Sequence, residues 1–161
     1  MNAATGVRPL AADACPVCAD WPRSGRPPRV GLISNANSGC NRLHLARVDD
    51  ILSRHAAVRH VITASTGELH QAVAELAREP IDVLAINGGD GTAASVLGHV
   101  LTHAPFATQP RIVLLPGGTV NMAAATIGSG GSLLRAATRL DRWLSERPRP
   151  CRTLRQPMLR V

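Results

Sequence analysis

Asp90 stands in the pentad Gly88-Gly89-Asp90-Gly91-Thr92, one carboxylate and one hydroxyl among three glycines. The apolar run Asp82-Val83-Leu84-Ala85-Ile86-Asn87 precedes it and reads as a buried strand, and a helical stretch follows. A glycine turn between strand and helix leaves backbone N–H groups uncovered at the helix start. Those groups, with the helix dipole, form an anion site. Pro116-Gly117-Gly118-Thr119-Val120-Asn121 repeats the design after the run Arg111-Ile112-Val113-Leu114-Leu115. Two such turns in one small α/β domain point to a phosphorylated ligand, with a nucleotide as the leading case. The chain has no lysine, which excludes the lysine-bearing Walker A loop. Asp90 also suits a helix-capping role.

The elements that must position these turns are legible as alternating strands and helices. Arg29 to Asn35 reads as a central parallel strand, followed by the polar turn Ala36-Asn37-Ser38-Gly39-Cys40-Asn41. A helix with Leu43, Ala46, Val48, Ile51 and Leu52 as its apolar positions comes next, then a strand from Val58 to Thr63. Ser65-Thr66-Gly67-Glu68 has capping-box spacing and opens a helix carrying Leu69, Val73, Leu76 and Ala77, ended by Pro80. The third strand is Asp82 to Asn87, a helix runs from about Gly91 to His103, and the fourth strand is Arg111 to Leu115. A short helix starts near Val120 and breaks at Ile127 to Gly131. A last helix, Ser132 to Glu146, carries Leu133, Leu134, Ala137, Leu140 and Leu144. This order predicts right-handed βαβ units and a doubly wound, mostly parallel sheet. Such sheets bind ligands beyond the carboxyl ends of their strands, where Asn35, Thr63, Gly88 and Gly117 lie. Residues 1–28, rich in Pro, Ala and Arg, read as a mobile leader and 29–150 as the domain. Residues 151–161 read as an edge strand or as the first strand of a further domain.

Composition narrows the classes. The formal charge of +7 over 161 residues comes from arginine alone. Its spread, with mild clustering at both ends (Arg23, Arg26, Arg29; Arg147, Arg149, Arg152, Arg155, Arg160), reads mainly as a solvated face and leaves anionic lipid headgroups open. One Phe, two Trp and no Tyr remove the stacking platforms of single-strand nucleic-acid binders, so no nucleic-acid partner is expected. Cys15 and Cys18 have half the spacing of a zinc site with no second pair, and read as free thiols. His99 and His103, one turn apart, have no accompanying Glu and read as a surface pair. No metal ligand set is expected. No signal peptide or membrane-spanning run is evident, so a cytoplasmic setting is the default.

Three pieces in order resemble the catalytic domain of the diacylglycerol kinase and sphingosine kinase family. Asn35-Ala36-Asn37-Ser38-Gly39 is similar to the family's first phosphate loop, Gly88 to Thr92 matches its signature pentad, and Leu115 to Asn121 looks like its third motif. The resemblance covers about Arg29 to Val161. It implies a Rossmann-like domain of the NAD kinase and diacylglycerol kinase type. It also implies ATP-dependent phosphorylation of a lipid hydroxyl with Mg2+, from a site peripheral to the inner face of the membrane. The implied nucleotide contacts are Asn35, Asn37, Ser38, Gly39, Thr63, Gly88, Gly89, Asp90, Gly91, Thr92, Gly118, Thr119 and Asn121. The resemblance gives Asp90 the catalytic role of orienting magnesium-bound phosphate or the acceptor hydroxyl. Glycines at 88, 89 and 91 are expected to let backbone approach phosphate and to adopt dihedrals that a Cβ forbids.

The chain departs from the family pattern at Ala94 and Ser95, where Asn and Glu are common, and at Met122, where Asp is frequent. Family members normally continue into a β-rich domain that supplies the general base and lipid pocket, and this chain ends where that domain would begin. The expectation is therefore the nucleotide-binding half of a lipid kinase, with a homodimer or a partner supplying the missing domain left open. The alternatives are a non-catalytic nucleotide-binding module and an NAD kinase-like protein.

Overall fold

The computed structural model describes residues 27–146. Most of the expected leader, the Cys15–Cys18 pair and the final stretch 151–161 lie outside the described residues, as do Arg23, Arg26 and the arginines from 147 onward.

Four strands form one sheet: β1 (Val30–Asn35), β2 (Val58–Thr63), β3 (Val83–Gly88) and β4 (Arg111–Pro116). Their order is β2-β1-β3-β4 and every pairing is parallel. Helices α1 (Asn41–Leu52), α2 (Thr66–Leu76) and α3 (Asp90–His103) make the crossovers, and α4 (Met122–Thr126) and α5 (Leu133–Ser145) follow β4. The sheet is thus doubly wound, with strand boundaries within a residue of those the apolar runs predict.

Period-two alternation divides the strands between two cores. Ile33, Leu84, Ile86 and Leu114 meet α2, α3 and α4 on one face. Val30, Leu32, Val83, Ala85 and Leu115 meet α1 and α5 on the other. Because β3 is buried on both faces, its first four residues, Val83 to Ile86, are continuously apolar rather than alternating.

The capping box forms with one variation. Ser65 Oγ accepts from Glu68 N at 3.2 Å, while Glu68 reaches back to Ala64 N at 2.8 Å rather than to the cap residue itself. The apolar stripe expected on α1 is corrected at Leu43, which is 80% exposed, and at Ala46, which is also exposed. The buried positions of α1 are Asn41, Val48 and Leu52. The first of these is an amide because tertiary hydrogen bonds, not apolar contact, hold that end of the helix. No described helix is long and apolar enough to cross a membrane.

Candidate functional site

The strand order reverses at β1 and β3, so the crossovers leave these neighbours in opposite directions and open a crevice above their carboxyl ends. Three loops meet there: residues 36–40 after β1, the pentad after β3, and residues 117–121 after β4.

Hydrogen bonds tie the loops pairwise. Cys40 N and Asn41 N donate to Gly117 O at 2.9 and 3.2 Å, joining the first loop to the third. Asn35 Nδ2 donates to Thr92 Oγ1 at 2.9 Å, and Ser38 Oγ lies 3.4 Å from both Thr92 Oγ1 and Gly89 N, joining the first loop to the pentad. Asp90 joins the pentad to the third loop: its carboxylate accepts from Met122 N at 3.1 Å and Ala123 N at 2.8 Å. Asp90 therefore caps α4, a neighbouring helix, rather than its own.

Close backbone approach explains the glycines. A Cβ on Gly118 would overlap the Gly89 backbone, and a Cβ on Gly39 would come within 2.5 Å of Thr119 Oγ1. The expectation of unusual dihedrals at 88, 89 and 91 is corrected, because none of the three has a positive φ. At Gly88 and Gly89 the constraint is room, not conformation: a Cβ on Gly88 would stand 2.5 Å from the Thr92 side chain, and one on Gly89 3.3 Å from Gly118 Cα. At Gly91 a Cβ would meet nothing within 4 Å. Within these three loops the left-handed region is adopted by Asn121, with φ 57° and ψ 43°. Its side chain folds back on the turn, accepting from Gly118 N and donating to Gly118 O, both at 2.8 Å.

Helix α3 begins at this edge. The first intrahelical bond of α3 is Ala93 N to Gly89 O. The N–H groups of Asp90, Gly91 and Thr92 therefore have no helical carbonyl before them, which is the arrangement that receives anions. Thr92 is buried, and its Oγ1 accepts from Asn35 and shares a hydrogen bond with Ser38 Oγ. Thr119 is exposed at the rim. Two expected residues are differently placed. Thr63 is buried and its hydroxyl donates to Ser34 O at 3.2 Å, beneath the loops. Asn37 donates to Ala64 O at 2.8 Å and so faces the end of β2 rather than the glycine turns.

The match to known proteins follows these same elements. Residues 29–154 match the diacylglycerol kinase catalytic domain. The chain belongs to that family. Two solved structures named for diacylglycerol kinase, both from Bacillus anthracis str. Sterne, share the fold. One is 24% identical with a TM-score of 0.60, covering 73% of this chain and 43% of that one. The other is 26% identical with a TM-score of 0.58, covering 71% and 41%. The chain thus spans less than half the length of these structures. Comparison with curated proteins finds no match. Family membership makes this a kinase-type domain, in which use of ATP is general.

Within this diacylglycerol kinase-type domain, sequence reasoning passed over the floor of the site. Asn41 Nδ2 donates to Asn35 O at 2.7 Å and to Asn87 O at 3.2 Å, tying the ends of β1 and β3. Asn87 Nδ2 donates to Ser34 Oγ at 3.0 Å, and His60 links Ser34 Oγ to Asp49, each at 2.7 Å. The remaining oxygens of Asn41 and Asn87 have no hydrogen-bond partner and lie against Gly117, where a Cβ would collide with both. The signal available was an amide inside an apolar strand, at Asn87. At the departures from the family pattern, Ala94 is exposed and Ser95 Oγ pairs with His70 Nε2 at 3.2 Å, on the side of α3 that faces α2.

Proposed function

We propose that this chain is the ATP-binding part of a lipid kinase, which transfers the γ-phosphate of ATP to a lipid hydroxyl such as that of diacylglycerol. The reading takes 29–150 as the nucleotide-binding domain. It has the enzyme work on the cytoplasmic side, peripheral to a membrane. The observation that carries it is the gathering of three glycine-bearing loops on one edge of the sheet, where the helix Asp90–His103 begins. Phosphoryl transfer asks mainly for positioning and charge neutralisation, and such a cradle supplies both.

The residues fit a phosphate chain better than they fit a metal. Among the described residues no group of three or more His, Cys, Asp or Glu could hold an ion. The one carboxylate in the crevice, Asp90, already spends both oxygens on α4. In this reading Mg2+ arrives on the phosphates, and Ser38, Gly39, Gly89, Gly91, Thr92, Gly118 and Thr119 bind the triphosphate. Asn35, Asn41 and Asn121 hold the loops in place.

The test is thermal unfolding with ATP and magnesium. Nucleotide at a hundred times its Kd stabilises by about 2.7 kcal/mol, and Gly118→Val abolishes the shift. No stabilisation of the wild-type chain at millimolar nucleotide refutes the reading. The engagement of Asp90 favours a second reading, binding without transfer by this chain alone. Lipid phosphorylation by the isolated chain would exclude it.

A further inference from the structure

Helix α5 carries a cationic face that nothing in the proposed site uses. Arg135, Arg139 and Arg142 are spaced four and three residues apart and so share one side of the helix. All three are exposed, and among the described residues none has an ion-pair partner. The single acid of α5, Asp141, is already held by Arg54 at 2.9 Å and His55 at 2.7 Å. With Ser132, Thr138 and the Gly130–Gly131 turn, the arginines line an open groove of about 460 Å³. The opposite side of α5 is committed: Leu133, Ala136, Ala137 and Leu140 are buried in the second core.

The direction of α5 places the Arg135 end of this face toward the loop edge and the Arg142 end toward the far edge. Asn41 starts α1 at the crevice, and Arg54 and His55 lie just past the end of α1. Their contact with Asp141 therefore sets the late turns of α5 at the far edge of the sheet. The start of α5, with Ser132 and Arg135, points toward the three loops. From Arg135 to Arg142 the guanidinium-bearing positions span about 10 Å of helix.

We infer that the Arg135–Arg139–Arg142 face docks the domain onto an anionic lipid surface, holding the loop edge beside the bilayer. The choice of lipid over other polyanions rests on the proposed lipid-kinase reading. Three exposed arginines in a row along one open groove suit several phosphates presented side by side. Because the apolar side of α5 is buried, docking is electrostatic and without insertion, and it weakens as salt rises.

The experiment is sedimentation of the full chain with vesicles of phosphatidylcholine containing phosphatidylglycerol, and with phosphatidylcholine alone. The wild-type chain is expected to bind only the anionic vesicles. Each arginine contributes about fivefold, so R135Q/R139Q/R142Q together weaken binding on the order of 100-fold. R42Q/R47Q/R78Q removes the same charge from exposed positions elsewhere and is expected to weaken it far less. Melting of both variants checks that they fold. Equal losses in the two variants, or no loss in the α5 variant, overturn the inference. Release of the wild-type chain by millimolar inorganic pyrophosphate at constant ionic strength also overturns it, making the groove a site for soluble phosphate. ATP-dependent stabilisation is measured on the same proteins. If it persists while vesicle binding ignores α5, only the docking falls. If vesicle binding behaves as expected and ATP has no effect, the site reading falls and the docking stands.

Discussion

The turns after β3 and β4 look alike in sequence and are built differently. The first leads directly from an extended Gly89 into a helix of 14 residues. The second reaches its helix only through the left-handed Asn121, and α4 is 5 residues long. A helix that short does not hold itself in water. Its first two N–H groups are taken by Asp90, from the first turn. The second turn is thus organised by the first, and the two form one unit with an order of dependence. Similar glycine patterns conceal which one is the support.

The largest break in this arrangement is expected from Gly118→Val, which forces the two turns apart where Gly118 meets Gly89. Overpacking of this kind costs about 1–3 kcal/mol, read as a fall in denaturant midpoint together with loss of ATP stabilisation. Asp90→Ala comes next. It removes the cap of α4 at a cost of about 1 kcal/mol. Amide exchange at Met122 and Ala123 speeds up while the α3 amides keep their protection. Equal loss of protection in α3 would show that the dependence runs both ways. Gly91→Ala sharpens the comparison from the other side: a Cβ there meets nothing within 4 Å, so stability holds within about 0.5 kcal/mol.

The smallest effect lies at the far end of α3. His99 stacks between His70 and His103, with ring centroids 4.3 Å apart on each side. Burial, then the charges of His70 and His103, hold its pKa below the ordinary 6.5. The folded chain therefore binds fewer protons here than the unfolded one, and the fold loses stability as pH falls through about 6.5. His99→Gln flattens that slope in melting curves between neutral and mildly acidic pH, and leaves both turns untouched.

Local signals carried the fold. Strands β1, β3 and β4 are apolar runs with glycine or proline turns after them, and α2 opens with its own capping box. Those features need only neighbours within four residues. What was not legible depends on residues far apart in sequence. The capping of α4 by Asp90 spans 32 residues, and the tie from Asn41 to Asn87 spans 46. The error at Leu43 has the same origin, since the amide of Asn41 fixes which side of α1 turns inward. Thr63 illustrates a different limit. Its place at a strand end was readable, but the inward direction of its hydroxyl follows from pairing with β1.

Amide hydrogen exchange of the whole chain, with and without ATP and magnesium, tests most directly whether the loops form a single site. The account predicts added protection together at Gly39, at Gly91 and Thr92, and at Thr119. Protection confined to one of these loops, or found only away from all three, would contradict it.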